Sequence, residues 1–380
     1  MLSYWEQASF LQYDHIIIGS GIVGLSAAIE IKDRFPSASV LVLERGLLPT
    51  GASSRNAGFA CMGSLIELLD KEQYATDEEI LGLFDHRKRG LERLRARLGD
   101  SNIGYAAHGS YELISTDEEH MLSEMERLNE LLMPITQKPA YKLANDKIGQ
   151  FGFSKDYTKA LVENTCEGEL NTGKMLRALI NYALHKGIEI KTGANVAQYE
   201  EDENHVSVHI NDTFRNEVLV LQCRSLSICT NAFTKQLLPD ADVIPGRGQV
   251  LITQPIPGLK FQGVYHFDKG YYYFRELDGR VLLGGGRNLD FEGEATTDFA
   301  LNESIHIALE QKLRDIIIPG VHFMIEQRWT GIMAFGKTKY PIVKAFSKRV
   351  YGAFRMGGMG VALGSETAMQ LADMVYGDWG

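Results

Sequence analysis

Six residues near the N-terminus, Gly19-Ser20-Gly21-Ile22-Val23-Gly24, have the composition of a phosphate cradle. They follow an apolar run, His15-Ile-Ile-Ile18, and open an Ala-, Leu- and Ile-rich segment, Ile22 to Arg34, that reads as a helix. In such a strand–turn–helix unit each glycine has its own task. Gly19 permits the tight turn, Gly21 lets backbone approach a diphosphate, and Gly24 lets helix and strand pack closely. The free N–H groups and positive dipole of the helix N-terminus then favour an anion. A second apolar run, Val40-Leu-Val-Leu43, ends at Glu44, 20 residues after Gly24, where a carboxylate can accept hydrogen bonds from ribose hydroxyls. Residues 15–44 therefore read as a βαβ unit for a dinucleotide. Glu44 would repel a 2′-phosphate, which disfavours NADP despite the adjacent Arg45.

That unit does not separate NAD from FAD. A second loop, Gly51-Ala-Ser53-Ser54-Arg55-Asn56-Ala57-Gly58, begins seven residues after Glu44. Its glycines and small hydroxyl side chains suit close approach to a further stretch of phosphate and ring. The residues that follow, Phe59-Ala-Cys61-Met62, are too apolar for an exposed loop. Later come Gly193-Ala-Asn-Val196, Ser227-Ile-Cys-Thr230-Asn231-Ala-Phe233 and Pro245-Gly-Arg-Gly-Gln249. Asp278 to Arg287, Arg328-Trp-Thr-Gly331 and Gly357-Gly358-Met359-Gly360-Val361 complete the series. In this order the motifs resemble the FAD-dependent D-amino-acid oxidase superfamily, in particular its glycine oxidase, sarcosine oxidase and glutamylputrescine oxidoreductase branch.

The resemblance implies FAD, with the backbone at Val196 meeting adenine and Thr230 and Asn231 in a second nucleotide-facing motif. It places Gly357 to Val361 near the flavin pyrimidine, where backbone N–H groups and a helix dipole stabilise negative charge. The implied architecture is α/β (α+β): a Rossmann-like FAD-binding domain and a second substrate domain built on a mixed β-sheet. The FAD-binding domain would collect residues 1–90, 165–233 and 328–380, and the substrate domain 91–164 and 234–327. The implied reaction oxidises the C–N bond of an amine or amino acid by hydride transfer to flavin N5, giving an imine that hydrolyses. The alternative on this fold is an FAD-dependent 2-hydroxy acid dehydrogenase, which needs a base beside the flavin that the sequence does not single out.

Departures from the family pattern sharpen the expectation. Asn56 stands where relatives with a histidyl flavin carry the histidine, and no cysteine lies near the C-terminal motif, so the FAD is expected to be non-covalent. Cys61 reads as a small apolar filler. Val281-Leu-Leu283 has no counterpart of the oxygen-activating lysine of sarcosine oxidases, leaving the electron acceptor open between O2 and another. Met333 stands where glycine oxidase has an arginine that clamps the substrate carboxylate. Either Arg55, Arg275, Arg328 or Arg355 replaces it, or the substrate has no α-carboxylate near the flavin. Along Tyr271 to Arg275, Tyr272 and Phe274 share one face while Tyr271, Tyr273 and Arg275 share the other. Counting back from the Asp278-Gly279 turn matches Tyr272 to the family tyrosine that faces the flavin. Tyr272, Phe59 and Met333 are thus expected to line the substrate pocket, and amines to reduce the flavin better than small α-amino acids.

The remaining elements fit this frame. Charges and leucines alternate at helical spacing from Asp77 to Leu98, and Asp117 to Leu132 and Lys174 to His185 also read as helices. The basic residues from His86 to Arg97 read as a solvated face offset by Asp77, Glu78, Glu79 and Glu92. A hairpin is expected about Asp278-Gly279. His205 and His209 lie on a strand-like stretch and need not share a metal; no metal site is expected. With 39 basic and 49 acidic residues the chain carries a formal −10, which argues against a nucleic-acid partner. Four cysteines in 380 residues make no disulfide framework. No apolar run approaches a membrane span. Met1 to Asp14 has no basic residue and includes Glu6, unlike a secretory signal, so a cytoplasmic location is expected.

Overall fold

The computed structural model describes residues 1–70, 76–212, 214 and 216–379. Its first strand, Gln12–Ile18, pairs in parallel with Val40–Glu44 on one side and Glu217–Ile228 on the other. Glu189–Thr192 and Val350–Phe354 extend the parallel set, and Ile342–Ala345 closes one edge in antiparallel. Alternate residues of the central strands enter different cores. Ile17, Val40 and Val42 pack with the helices, whereas Ile16, Ile18, Leu41 and Leu43 face the antiparallel meander of Asn195–Glu201, Val206–Asp212 and Glu217–Ile228. Burial on both faces is why these strands read as unbroken apolar runs. His15 is also fully buried there, between the hydroxyls of Ser225 and Ser227 at 2.6 and 2.9 Å. Burial pushes its pKa down to about 3, so the ring is neutral.

Helices Ile22–Arg34, Asp77–Leu98 and Gly360–Trp379 pack together over this sheet. Thr76 starts the middle one through a capping box with Glu79, a device worth about 1 kcal/mol. Its basic residues form the solvated face expected from sequence only in part: Lys88 and Arg89 pair with Glu92 and Asp85 of the same helix, whereas others turn inward. Arg87 is buried against Glu67 at 3.2 Å, Arg93 reaches Glu366 at 3.2 Å, and Arg97 pairs with Glu30. The neutralising carboxylates come from the neighbouring helices, which spacing within one helix cannot reveal.

A second sheet runs in the order Ile325–Phe335, Ile244–Thr253, Arg280–Gly285, Tyr272–Leu277, Val264–Phe267, Ser110–Ile114, Ala160–Asn164 and Tyr141–Leu143. It is mixed, because Val264–Phe267 and Ser110–Ile114 are parallel while the other neighbours are antiparallel. Strand Ile325–Phe335 belongs to this sheet, although division at residue 328 assigns most of it to the FAD-binding domain. The hairpin at Asp278-Gly279 forms, with φ of 51° and 75°. The expected helix from Asp117 is interrupted: a 3₁₀ turn spans Glu119–Glu124 and the α-helix runs Met125–Thr136. Glu118 ties the chain back there, accepting from Ser115 N and Oγ at 3.0 and 2.8 Å and from Lys269 N at 3.0 Å. All four cysteines are free thiols. Among the described residues no helix is long and apolar enough to cross a membrane.

Candidate active site

The two sheets meet across a cavity of about 410 Å³. One end is the glycine turn. Gly19, with φ +108°, turns the chain off the first strand, and a Cβ on Gly24 would lie 1.9 Å from the Gly19 carbonyl oxygen. Gly24 is therefore a packing residue, and Gly19 to Val23 line the cleft without it. Glu44 and Arg45 line it as well. The Glu44 carboxylate accepts from Ser20 Oγ at 2.7 Å and Gly46 N at 3.0 Å, which fixes its direction. The Arg45 guanidinium lies 3.6 Å from the centre of the Phe233 ring.

The second loop reaches the cleft through Ser53, Arg55, Asn56 and Ala57. Ser54 and Gly58 do not line it: Ser54 Oγ donates to Gly51 O at 3.1 Å, and the Gly58 carbonyl accepts from Arg275. Asn56 is fully occupied in shaping the loop. Its amide donates to the carbonyls of Ala52 and Ser53, and its oxygen accepts from Gly58 N and Thr172 Oγ1, both at 2.9 Å. Val196, Thr230 and Asn231 line the same cleft. The Asn231 oxygen accepts from the backbone of Arg355 at 3.1 Å and Met356 at 3.3 Å, tying its motif to the C-terminal one. Gly357, Gly358, Met359, Gly360 and Val361 all reach the cleft, where helix Gly360–Trp379 begins.

The opposite wall is where sequence reasoning is corrected. Phe59 and Met333 line the cavity as expected, but Tyr272 does not. Tyr272 is buried in the core of the second sheet, stacked on Phe267 with centroids 5.1 Å apart. Tyr271 and Tyr273 face the cavity instead. The alternation is as read, but the choice of face is reversed, because a one-residue shift in matching flips every side chain of a strand. The local reason is Gly284, which pairs with Tyr273: a Cβ there would sit 2.5 Å from the Tyr273 ring. Burial pushes the Tyr273 phenol up to about 12.

Of the four arginines considered, three are committed elsewhere. Arg275 pairs with Glu169 at 3.3 Å, Arg328 with Glu310 at 2.6 Å, and Arg355 with Asp242. Arg55 lines the cavity, donating to the carbonyls of Thr50 and Thr330. An arginine not singled out by sequence, Arg287, is different. It lines the cavity with its guanidinium 4.2 Å from the centre of the Phe335 ring and 5.0 Å from that of Phe291. Among the described residues it makes no hydrogen bond or close ion pair: Glu294 acts on it at longer range while bound to Arg247, and its Nε is buried without a hydrogen bond. His266, Cys61 and Lys339 also line the cavity and were not expected there; burial pushes both the imidazole and the Lys339 amine below their usual ranges.

The DAO family of FAD-dependent oxidoreductases matches residues 14–374. The chain belongs to that family. It is 25% identical over 285 residues to the bifunctional protein ThiO/ThiG of Trichormus variabilis, a match covering 71% of this chain but 39% of that longer protein. It is 21% identical over 383 residues to "Probable oxidoreductase OrdL" of Haemophilus influenzae, covering 96% of this chain and 83% of that one. Its structure is similar to L-proline dehydrogenase from P. horikoshii and to glycine oxidase from Geobacillus kaustophilus, each with TM-score 0.77 and 18% identity over 96% of this chain. Those superpositions cover 93% and 95% of the two chains. At such identity the likeness establishes the DAO fold, with an FAD-binding sheet and a substrate sheet.

The cleft fits the family's cofactor. A Cβ on Gly21 would come 2.8 Å from Ser53 Oγ, so the cradle is open only because the side chain is missing. Facing that cofactor, the helix N-terminus at Ile22 would supply an anion site and Glu44 a ribose acceptor, whereas the Gly357 N–H is already donated to Ala334 O at 2.9 Å.

Proposed function

We propose that this DAO-family protein oxidises the C–N bond of a small amine that carries a carboxylate, with FAD held non-covalently. FAD, when bound, supplies the two-electron acceptor. The observation that carries the substrate reading is Arg287, a cavity-lining guanidinium with aromatic rings on its flanks and no hydrogen bond or close ion pair among the described residues, the Glu294 carboxylate that acts on it being bound to Arg247. A planar fork of N–H donors in a partly dry pocket matches a carboxylate, which it holds by charge-assisted hydrogen bonds. Of the two alternatives that Met333 leaves open, this takes the clamp from elsewhere, but from an arginine just after strand Arg280–Gly285 and outside the four considered. It runs against the expectation that amines outperform small α-amino acids. Phe59, Tyr273 and Met333 make the adjoining walls apolar. Such walls favour the neutral amine whose lone pair the oxidation needs. The similar structures bear names that include proline, glycine and iminodiacetate, all amines with a carboxylate. Asn56, whose amide is spent on loop hydrogen bonds, supports non-covalent FAD.

Anaerobic reduction of the bound flavin tests this reading. Glycine, sarcosine, proline and iminodiacetate are compared with their decarboxylated analogues and with 2-hydroxy acids. At least one carboxylate-bearing amine is expected to reduce the flavin, with Arg287→Met raising the half-saturating concentration by about 10- to 100-fold, the worth of a charge-assisted hydrogen bond. Reduction only by amines lacking a carboxylate, or indifference to Arg287→Met, overturns it. The second reading, 2-hydroxy acid oxidation, rests on His266, a neutral imidazole at the cavity wall that could act as the base. It is supported only if hydroxy acids reduce the flavin and amines do not. Acid precipitation separately tests the cofactor linkage: the yellow colour is expected in the supernatant, and flavin retained in the pellet contradicts a non-covalent mode.

A further inference from the structure

Three residues far apart in sequence meet beside the cavity, Cys61 and His266 lining it and Glu167 buried next to them. Cys61 follows the short strand Phe59–Ala60, Glu167 precedes Gly168–Glu169, and His266 lies on Val264–Phe267. Cys61 Sγ is 3.5 Å from His266 Nε2, and these two atoms and a Glu167 oxygen all lie within 4.8 Å of one another. We infer that Cys61, His266 and Glu167 form a binding site for a thiophilic divalent cation of the zinc class, with the fourth position open to the cavity.

The distances support this. Zinc–sulfur and zinc–nitrogen bonds of about 2.3 and 2.0 Å at a tetrahedral angle put the two ligand atoms about 3.5 Å apart. The observed separation is that of a tetrahedral edge. The ligands are also held in place. Glu167 accepts from Met62 N at 2.6 Å, Gly63 N at 2.8 Å and Ser110 Oγ at 2.6 Å, which fixes the carboxylate and leaves an acceptor position on the oxygen facing Ser110. The His266 ring is set by the edge-on contact with Phe59, with centroids 5.1 Å apart. Such outer contacts are what orient metal ligands.

The charge balance is favourable too. A thiolate and a carboxylate neutralise a dication, so the loaded site carries no net charge, whereas the empty one, with its thiol protonated, carries that of the carboxylate. The nearby guanidiniums are already paired, Arg87 with Glu67 and Arg275 with Glu169. A cysteine thiol that holds no metal is largely protonated at neutral pH. Binding therefore exchanges the thiol proton for the metal: the S–H bond breaks, an S–metal bond forms, and one proton goes to solvent. No electron moves.

Zinc chloride titrated into the FAD-loaded protein by calorimetry, in buffers of different ionisation enthalpy, reads both stoichiometry and proton release. One zinc per chain is expected, with release of about one proton. Cys61→Ser and His266→Gln are each expected to weaken binding by about 10- to 100-fold or more, while His205→Gln leaves it unchanged. Zinc is also expected to protect Cys61 from alkylation, read by peptide mass spectrometry on the unaltered protein. Zinc bound without proton release, binding insensitive to both substitutions, or Cys61 alkylated equally with and without zinc each overturns the site. None of these readouts needs a substrate, so failure of the site and failure of the amine-oxidation reading are distinguishable.

Discussion

Arg275 of the substrate sheet donates to the carbonyl of Leu170 at 2.9 Å and to that of Gly58 at 3.4 Å, holding the second cofactor loop from outside the cleft. A third bond reaches the Ala57 carbonyl at 3.2 Å, and Glu169 neutralises the charge. The residue acts by positioning backbone and does not reach into the cavity.

Arg275→Met is therefore expected to strip the buried Glu169 of its guanidinium and leave the half-exposed His108, at 2.8 Å, as its remaining partner, a loss of up to about 3–5 kcal/mol. The variant should melt at lower temperature and be purified with less than one FAD per chain. Flavin absorbance against protein concentration measures the second effect. A variant with full FAD content and an unchanged Tm contradicts the positioning role.

Gly21→Val places a branched side chain against Ser53 Oγ, which a single Cβ would already approach to 2.8 Å. Ser53 Oγ also accepts from Ile22 N at 3.0 Å, so displacing it disturbs the helix N-terminus that faces the diphosphate. Loss of FAD with retention of folded, soluble protein by circular dichroism is the expected outcome. Stoichiometric FAD in this variant would show that the turn is structural only.

Tyr272 and Tyr273 distinguish the two faces of one strand. Tyr273→Phe removes the hydroxyl of a cavity-lining residue and is expected to alter the rate of flavin reduction or the half-saturating substrate concentration. Tyr272→Phe changes a side chain stacked in the core and should leave both unchanged. Stopped-flow reduction of the two variants under anaerobic conditions makes the comparison, and the opposite pattern refutes the assignment of faces.

Glu112 gives a pH signature of stability. Its carboxyl is buried, accepts from Ser64 Oγ at 2.7 Å and Ile66 N at 3.1 Å, and burial pushes its pKa up to about 8. Between the usual carboxylate range and about 8 the unfolded chain has lost this proton while the folded chain keeps it. Its contribution to stability is therefore fully present at low pH, falls as pH rises through that window, and is gone above it. Glu112→Gln should flatten the decline in Tm between about pH 5 and 9. Parallel Tm curves for the two proteins contradict this.

The local units of this protein are determined by short-range chemistry. Gly19 to Gly24 and Glu44 specify a turn, a helix start and an acceptor within one βαβ unit, and Gly357 to Gly360 specify another helix start, because each depends on backbone geometry over a few residues. The alternation of Tyr271 to Arg275 is likewise written in the chain. Which of its faces meets the cavity is not, since the answer depends on Gly284 across the hairpin and on the packing of Phe267. Arg287 looks in sequence like any charged residue after a strand. Only the tertiary structure surrounds it with Phe291 and Phe335 and commits the Glu294 carboxylate to Arg247 instead. Cys61, Glu167 and His266 share no sequence spacing at all, and the pairing of sheets and loops alone brings them together. Local conformation follows from neighbouring residues, whereas the site is made of side chains whose proximity depends on long-range packing.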